Sequence, residues 1–315
     1  MRRVKTLALS MILIFAVTWG ASVSSAASIE VRPGESIQAA IDAAIGGDEV
    51  IIYPGTYSEN LTCRGAAITV RSTNPEDSSV VDATIIDGKG KDRVFLIDCG
   101  EGRDLVLSGL TMRNGKSNFG GGVACFNSSS PTIINCVVTA NSADTYGGIG
   151  CRDSSPMILN CIIMENSSGS IGGGIGCSNA SSPEIIHCTI TKNSAAAAGG
   201  GLGCDAGASP VVTNCILWGD LAMREIAIAD TGNPAITYSD VLGGYPGEGN
   251  INADPLFVDP AEGDYHLQAA SPCIDTGTND ETLEKRDKDG VPRPQDGDGD
   301  GVATCDMGAY EFVKE

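Results

Sequence analysis

The sequence has 315 residues, with 20 lysines and arginines against 40 aspartates and glutamates, and a formal net charge of −20. Such an acidic chain is poorly suited to nucleic acid or anionic membrane surfaces, which excludes those partners. Hydrophobic residues make up 42% but aromatic residues only 5%, and there are 41 glycines, so the core must be aliphatic, thin and repetitive.

The first 26 residues have the pattern of a secretory signal peptide. Basic residues up to Lys5 precede an apolar stretch from Leu7 to Val17, and small residues lead to a cleavage step near Ala26. No later apolar run approaches the roughly 20 residues that a membrane span requires. The sequence therefore predicts a secreted protein (extracellular, at the cell surface or in the periplasm) without a membrane span after signal removal.

Residues 27–250 are predicted to form one solenoid domain that begins with a helix. The segment of about 36–45 starts with Ser36 and has apolar residues at helical spacing, as an amphipathic helix does. We expect this helix to close the first coil, because an open solenoid exposes unpaired strand edges.

The clearest repeats span residues 94–241 and are marked by cysteines. One set recurs every 26 or 27 residues, and a second set every 25 to 27. A fixed period in this range indicates a solenoid, in which each coil buries its apolar side chains only against its neighbours. The first set is Cys99, Cys125, Cys151, Cys177 and Cys204, and the second is Cys136, Cys161, Cys188 and Cys215.

Each repeat holds short β-branched strands broken by Pro, Asn, Ser and Gly turns, which predicts an all-β parallel solenoid with coils about 4.8 Å apart. The second set of cysteines should stack inside as small buried thiols, with a corner of the coil just before each cysteine. The asparagines of the next turn should form a structural amide ladder: Asn114, Asn141, Asn166 and Asn193. The outer face of the strand after the cysteines is apolar, so something must cover it.

Residues 251–315 are predicted to form a C-terminal capping segment that contains an acidic Asp-Gly loop. Asp296, Asp298 and Asp300 alternate with glycines as at the start of a Ca²⁺ loop, with Asp306 as a further candidate ligand. The usual twelfth-position Glu is replaced by Met307, and a solvated loop without calcium stays the alternative. Cys273 and Cys305 lie outside the repeats and are the candidate disulfide.

Three signatures together carry a family resemblance: the Ser-Ile-Gln-Ala-Ala-Ile start at Ser36, the Pro-Gly-Thr-Tyr turn at Pro54, and the repeated Pro-x-Ile-x-x-Cys-x-Ile-x-x-Asn. They resemble secreted bacterial right-handed parallel β-helix proteins of the pectin-lyase-like superfamily. The C-terminal segment resembles the choice-of-anchor type, which implies an anchor after Phe312 that this chain lacks. The superfamily mixes lyases, hydrolases, epimerases and adhesins, so the resemblance implies a fold rather than an activity.

The sequence offers few candidate catalytic residues. A Ca²⁺-assisted β-elimination needs acidic ligands and a basic residue on one outer face, and Arg152, Asp153 and Asp205 are the best such group. The alternative is a solvated turn that varies from coil to coil. A hydrolase needs two carboxylates that face each other across the glycosidic bond. Asp153 and Asp205 lie one position out of the same column of the repeat, which fits that requirement poorly.

Ligand binding has two further candidates. The glycine clusters between repeats, such as Gly120–Gly122 and Gly172–Gly174, would stack into a floor for an extended polymer or would only supply turns of positive φ. Trp218 is a candidate sugar platform, or a tryptophan covered by the C-terminal segment. His187 is expected in an amide column and His266 without a partner.

The sequence thus favours a secreted or cell-surface β-helix module that binds polysaccharide, or another envelope component, or is purely structural. The alternative is a Ca²⁺-dependent polysaccharide lyase or another carbohydrate-active enzyme, with Ca²⁺ as the one possible cofactor.

Overall fold

The computed structural model describes residues 26–279 and 285–314. The predicted signal peptide lies outside the described residues, apart from Ala26. In the described part of the chain, no helix has the length and apolar character needed to cross a membrane.

The described chain is built from short strands and two short helices. The first coils contain β1 (Ser28–Val31), α1 (Ile37–Ala43), β2 (Glu49–Ile52), β3 (Gly55–Tyr57), β4 (Leu61–Cys63), β5 (Thr69–Ser72), α2 (Ser78–Ala83), β6 (Thr84–Asp87), β7 (Phe95–Ile97), β8 (Val106–Ser108) and β9 (Thr111–Arg113). The central coils contain β10 (Lys116–Phe119), β11 (Val123–Cys125), β12 (Thr132–Ile134), β13 (Val137–Thr139), β14 (Ser142–Thr145), β15 (Ile149–Arg152), β16 (Met157–Leu159), β17 (Ile162–Met164), β18 (Ser167–Ser168) and β19 (Ile175–Ser178). The last part contains β20 (Glu184–Ile186), β21 (Thr189–Thr191), β22 (Ser194–Ala195), β23 (Leu202–Cys204), β24 (Val211–Thr213), β25 (Ile216–Trp218), β26 (Ile226–Ile228), β27 (Ala235–Thr237), β28 (Asp240–Val241), β29 (Phe257–Asp259) and β30 (Asp264–Leu267).

Four parallel sheets run along the solenoid, because each strand pairs in register with its counterpart one coil later. Sheet A has nine strands in the order β1-β2-β5-β8-β12-β16-β20-β24-β27, and sheet B has eight in the order β3-β6-β9-β13-β17-β21-β25-β28. Sheet C has seven, β4-β7-β11-β15-β19-β23-β26, and sheet D has four, β10-β14-β18-β22. The predicted right-handed parallel β-helix is confirmed.

The inside of the solenoid is filled by columns of aliphatic side chains and thiols. The four cysteines of the second set are fully buried, and the residue before each has a positive φ, which confirms the predicted corner. The prediction for the first set of cysteines is wrong for Cys99, which is exposed and lies outside the column. Register places Cys63, Ile97, Cys125, Cys151, Cys177, Cys204 and Ile228 in one column of sheet C.

Helix α1 closes the N-terminal end, as predicted. Ser36 is its N-cap and accepts the amide of Ala39, while the carboxylate of Glu59 accepts the amides of Ile37 and Gln38. Ile37, Ala40 and Ile41 are buried against the first coil. The apolar end of the core is therefore covered by the chain itself on this side.

The C-terminal segment lies back along the solenoid and covers the outer face of sheet B. It packs Phe257, Tyr265, Met307 and Tyr310 on the apolar face whose covering the sequence predicts; that face includes Val137, Ile162 and Ile216. Trp218 and Met164 are half-buried at the margin of this contact. Helix α2, which the sequence analysis does not predict, contributes Val81 to the same cluster.

Candidate functional site

The candidate site lies on the outer face of sheet C, where an aromatic cluster stands outside the solenoid core. Phe119 and Tyr146 are buried there, with ring centroids 5.0 Å apart in an edge-to-face arrangement, and Phe126 packs 4.9 Å from Phe119. They rest on a floor of glycines: a Cβ on Gly150 would lie 2.6 Å from the Phe119 ring, and one on Gly176 would overlap Tyr146. This cluster is not among the sites predicted from the sequence; its signal there is the aromatic residues that flank the glycines.

Arg152 leaves the end of β15 and lies across this cluster. Its guanidinium carbon is 4.4 Å from the centroid of Phe119 and 5.7 Å from that of Phe126, which is the geometry of cation–π contacts. Arg152 is exposed, and no described carboxylate forms an ion pair with it. The site therefore presents a cationic guanidinium to solvent beside the half-buried ring of Phe126.

The two candidate carboxylates point to other partners. Asp153 has a positive φ and accepts the side-chain amide of Asn179 at 3.2 Å, in the turn after sheet C. Asp205 lies beside the hydroxyl of Tyr146, and burial together with this carboxylate raises the pKa of Tyr146. No group of metal-ligating side chains in the described residues includes either aspartate. The structure thus places all three candidates on one side of the solenoid without assembling a β-elimination site.

The glycine clusters pack against backbone, which leaves no open floor. A Cβ on Gly121, Gly147 or Gly173 would lie within 2.7 Å of the carbonyl oxygen of the glycine in the next coil. Gly120, Gly172 and Gly199 have positive φ, as the turn alternative expects. The hypothesis that these clusters form a floor for a polymer is therefore wrong, because the backbone of the neighbouring coil fills the space beside each glycine.

The predicted amide ladder is present for three of its four asparagines. The Nδ2 of Asn141 donates to Oδ1 of Asn166 at 3.0 Å, Asn166 donates in the same way to Asn193 at 2.9 Å, and Asn193 donates to Asp220 at 2.9 Å. Asn114 is one position out of register and donates instead to Asp87, while Gly115 occupies its place. Asn114 thus takes the left-handed turn position, which Asn tolerates.

The structure describes all twelve cysteines as free thiols. The second-set thiols donate to backbone carbonyls two residues before them, at 3.1 to 3.3 Å, and burial raises the pKa of Cys136, Cys161 and Cys188. Cys273 and Cys305 are both buried, and no disulfide joins them. The Cys273 thiol is instead 3.5 Å from Oδ2 of Asp240.

The acidic loop gathers a different ligand set from the one predicted. Carboxylate oxygens of Asp275, Asp296 and Asp298 lie within 4.8 Å of one another. Asp300 accepts the amide of Val302, and Asp306 is buried, where it accepts the amides of Asp275 and Phe312. The predicted ligands Asp300 and Asp306 are therefore outside the cluster, and Asp275 joins from a distant part of the chain. Three carboxylates supply the hard oxygen donors that suit Ca²⁺.

The C-terminal segment holds a buried ionic network that sequence reasoning does not predict. Arg293, 5% exposed, pairs with Glu311 at 2.5 Å and donates to the carbonyl oxygens of Asp306 and Gly308. Burial raises the pKa of Asp306 to about 7. Lys288 is buried against the carbonyl oxygen of Asn135, and burial lowers its pKa.

His266 has two partners where none is expected. Its Nδ1 is 2.6 Å from Asp264 and its Nε2 is 2.9 Å from Asp289, and its ring stacks on Tyr310. The hydrogen bond with Asp289, followed by that with Asp264, raises the pKa of His266 to about 9. His187, by contrast, is buried in the corner column beside Asn214, and burial lowers its pKa.

Among the comparisons with known proteins, the match to one family model supports the fold. The family model described as the right-handed β-helix region matches residues 63–217. No curated protein matches the sequence significantly. Among solved structures, the crystal structure of pectate lyase Pel9A is similar at 14% identity, over 93% of this chain and 98% of that chain, with a TM-score of 0.39. A likeness of this size says nothing of activity; the matched repeats and the observed sheets make the chain, by fold, a right-handed parallel β-helix.

Proposed function

We propose that this protein is a secreted or cell-surface module that binds polysaccharide on the outer face of sheet C. The observation that carries the proposal is the exposed Arg152 guanidinium, whose carbon lies 4.4 Å from the ring centroid of Phe119 and 5.7 Å from that of Phe126. Such a surface combines hydrogen-bond donors with an aromatic edge, which suits the alternating hydroxyl and apolar faces of a sugar.

The neighbouring turns extend this surface along the solenoid. Asn127, Asp153 and Asn179 occupy the same exposed turn position in successive coils, each with a positive φ. Their side chains recur at the coil spacing of about 4.8 Å. A ladder of amides and a carboxylate beside Arg152 provides repeated polar contacts for an extended chain of sugars, whereas a compact ligand would use only one of them.

Binding is favoured over lyase chemistry by the partners of the charged groups. Arg152 contacts aromatic rings, Asp153 bonds with Asn179, and Asp205 lies beside Tyr146. A β-elimination would need the arginine and a carboxylate-bound cation on the same sugar. Ca²⁺, if bound at Asp275, Asp296 and Asp298, would therefore order the C-terminal segment and take no part in the chemistry of this face.

The test is retention of the purified protein on a panel of immobilised uronate and neutral polysaccharides, with and without Ca²⁺, while unsaturated product is followed by absorbance. We expect retention without product, and at least a tenfold loss of affinity in Arg152→Ala and in Phe126→Ala.

Arg103→Ala is the matched control, because Arg103 is a half-exposed arginine of the solenoid surface that pairs with Glu184. It should bind as the unmodified protein does. Unsaturated product that requires Ca²⁺ and disappears in Arg152→Ala would replace the binding function with a lyase, and no retention on any polymer would contradict the proposal.

A further inference from the structure

The C-terminal end of the solenoid is closed less completely than the N-terminal end. The last coil consists of β26, β27 and β28, which pair with β23, β24 and β25 of the coil before it. The chain then covers the ends of β27 and β28 with Glu248 and Ile251. No described strand covers β26, and this leaves a notch beside it, with a cavity of about 530 Å³ that is bounded on the other side by residues 241–245.

The notch exposes the end of the apolar core. Ile226 and Ile228 continue the two inward columns of sheet C, after Leu202 and Cys204. Ile228 is 49% exposed, Leu242 at the opposite wall is 40% exposed and Met223 at the rim is 84% exposed. At the N-terminal end the corresponding apolar surface is covered by α1. The C-terminal end has no equivalent cover in the described chain.

The notch also has an unpaired strand edge. The amide of Leu202 donates to the carbonyl oxygen of Glu225, and the amide of Ala229 donates to that of Cys204, so the odd-numbered residues of this segment face β23. In a parallel ladder the alternate residues, Ile226 and Ile228, then direct their N–H and C=O groups to the open side. These groups form a template for one further strand.

Two buried carboxyl groups lie at one end of this template. Asp220 is 8% exposed and Glu225 is 6% exposed, and both line the cavity. Oδ2 of Asp220 and Oε2 of Glu225 have no hydrogen-bond partner among the described residues. Burial raises the pKa of both groups, and the neighbouring Glu225 raises the pKa of Asp220 further. A cationic side chain delivered by a ligand would compensate this pair.

We propose that the notch is a docking site for an extended segment of a partner protein that adds one strand beside β26. The segment carries apolar residues at two alternate positions, which rest on Ile226, Ile228 and Leu242. It carries a lysine or arginine just before them, which reaches Asp220 and Glu225. Small residues fit the outward position between the apolar ones, where sheet C itself has Gly203 and Ala227.

A single strand fits this notch better than a second copy of the chain does. The chain at Glu248 and Ile251 lies over β27 and β28 but not over β26, so the end face of another solenoid meets that covering chain before it reaches β26. Two copies would also bring together chains of net charge −20 and two buried acidic pairs. The proposal uses neither Arg152 nor the aromatic residues Phe119, Phe126 and Tyr146, and is therefore independent of polysaccharide binding.

The experiment measures fluorescence anisotropy of the peptide fluorescein-Gly-Lys-Ile-Ala-Ile-Thr-amide, labelled on the N-terminal amine so that the lysine stays charged, with the purified protein. We expect saturable binding with a Kd below about 1 mM. The peptide fluorescein-Gly-Glu-Ile-Ala-Ile-Thr-amide, which carries glutamate in place of the lysine, should bind at least tenfold more weakly. Ile228→Glu should abolish binding, and because Ile228 is half exposed the variant is expected to fold, which circular dichroism checks.

Val211→Glu is the matched control, since Val211 is 43% exposed on the outside of sheet A, away from the notch. It should bind the lysine peptide normally. Absence of saturable binding up to about 1 mM, or equal binding by Ile228→Glu, overturns the proposal. A dimer in sedimentation equilibrium that Ile228→Glu dissociates would assign the notch to a second copy and overturn it as well.

Discussion

The coils of the solenoid and the segment that covers sheet B are held by different physical means. The repeated columns inside the coils are made of neutral groups, namely aliphatic side chains, thiols and the amides of Asn141, Asn166 and Asn193. Buried carboxyl groups such as Asp220 lie where such a column ends. The covering segment buries charges, among them Lys288 and Arg293. A repeated unit gains its register from the backbone ladder, so its side chains need only be alike from coil to coil.

The covering segment has little ladder to guide it. Its only regular pairing in the described residues is the antiparallel hairpin of β29 and β30, with two isolated bridges farther on. Its path is fixed by single contacts with corner residues of the solenoid: Asn160 donates to the carbonyl oxygen of Arg286, and Asn214 to that of Thr278. Buried charges add specificity to such a path, since only one arrangement pairs them all.

The strongest test of this difference is Arg293→Met. Removing the guanidinium leaves Glu311 buried without its partner, which typically costs about 3–5 kcal/mol. We expect early release of the C-terminal segment in limited proteolysis and a lower urea midpoint. The control is Arg103→Met, whose half-exposed pair with Glu184 contributes about 0–1 kcal/mol. Equal effects of the two variants would contradict the role of the buried network.

Within the coils, Asn166→Ala should be the most costly polar substitution. The side chain of Asn166 bonds with Asn193, with the carbonyl oxygen of Val138 and with both amides of Asn141. Its loss leaves buried polar groups without partners. We expect the free energy of unfolding, measured by urea titration, to fall by about 2–3 kcal/mol.

Asn114→Ala is the comparison for the ladder, because Asn114 lies outside it and makes one side-chain bond, to Asp87. Ala140 already occupies the equivalent turn position with a positive φ. The loss should be about 1 kcal/mol. A loss as large as that of Asn166→Ala would mean that the ladder adds nothing beyond an ordinary hydrogen bond.

Calcium should act on the covering segment alone. If Asp275, Asp296 and Asp298 bind Ca²⁺, a free concentration tenfold above Kd stabilises the folded state by about 1.4 kcal/mol. We expect a rise in Tm with CaCl₂ that the double variant Asp296→Asn/Asp298→Asn removes. Asp300→Asn, which lies outside the cluster, should keep it; if both variants lose the rise equally, the cluster is not the site.

The smallest expected effect is the pH dependence from His266. Its pKa in the folded state is raised to about 9 from 6.5, so the protonated ring favours folding. This stability is fully present below pH 6.5 and is lost as the pH rises towards 9. Because the side chain is 42% exposed, we expect about 1 kcal/mol or less. Unfolding free energies of His266→Gln should be flatter over this range; an unchanged slope would contradict the assignment.

The sequence by itself determined the solenoid. Its period, the buried cysteines from Cys136 to Cys215, the corner before each of them, the helix after Ser36 and the need to cover sheet B are all read from spacing. The physical reason is that residues one repeat apart are also spatial neighbours, so a pattern along the chain is a pattern of contacts. The predictions from the sequence were wrong where the period slips. Cys99 was assigned to the buried column to which Cys63 belongs, and Asn114 lies one position before the ladder position.

Only the tertiary structure decided the sites. Asp275 reaches Asp296 across an intervening loop, Phe119 and Tyr146 fill the space above the glycines of later coils, and His266 meets Asp289 from a separate strand. The notch beside β26 likewise depends on how far the chain at Glu248 and Ile251 extends over the last coil. These contacts join residues that share no period, and nothing in the local sequence fixes where a nonrepeating chain crosses a repeating one.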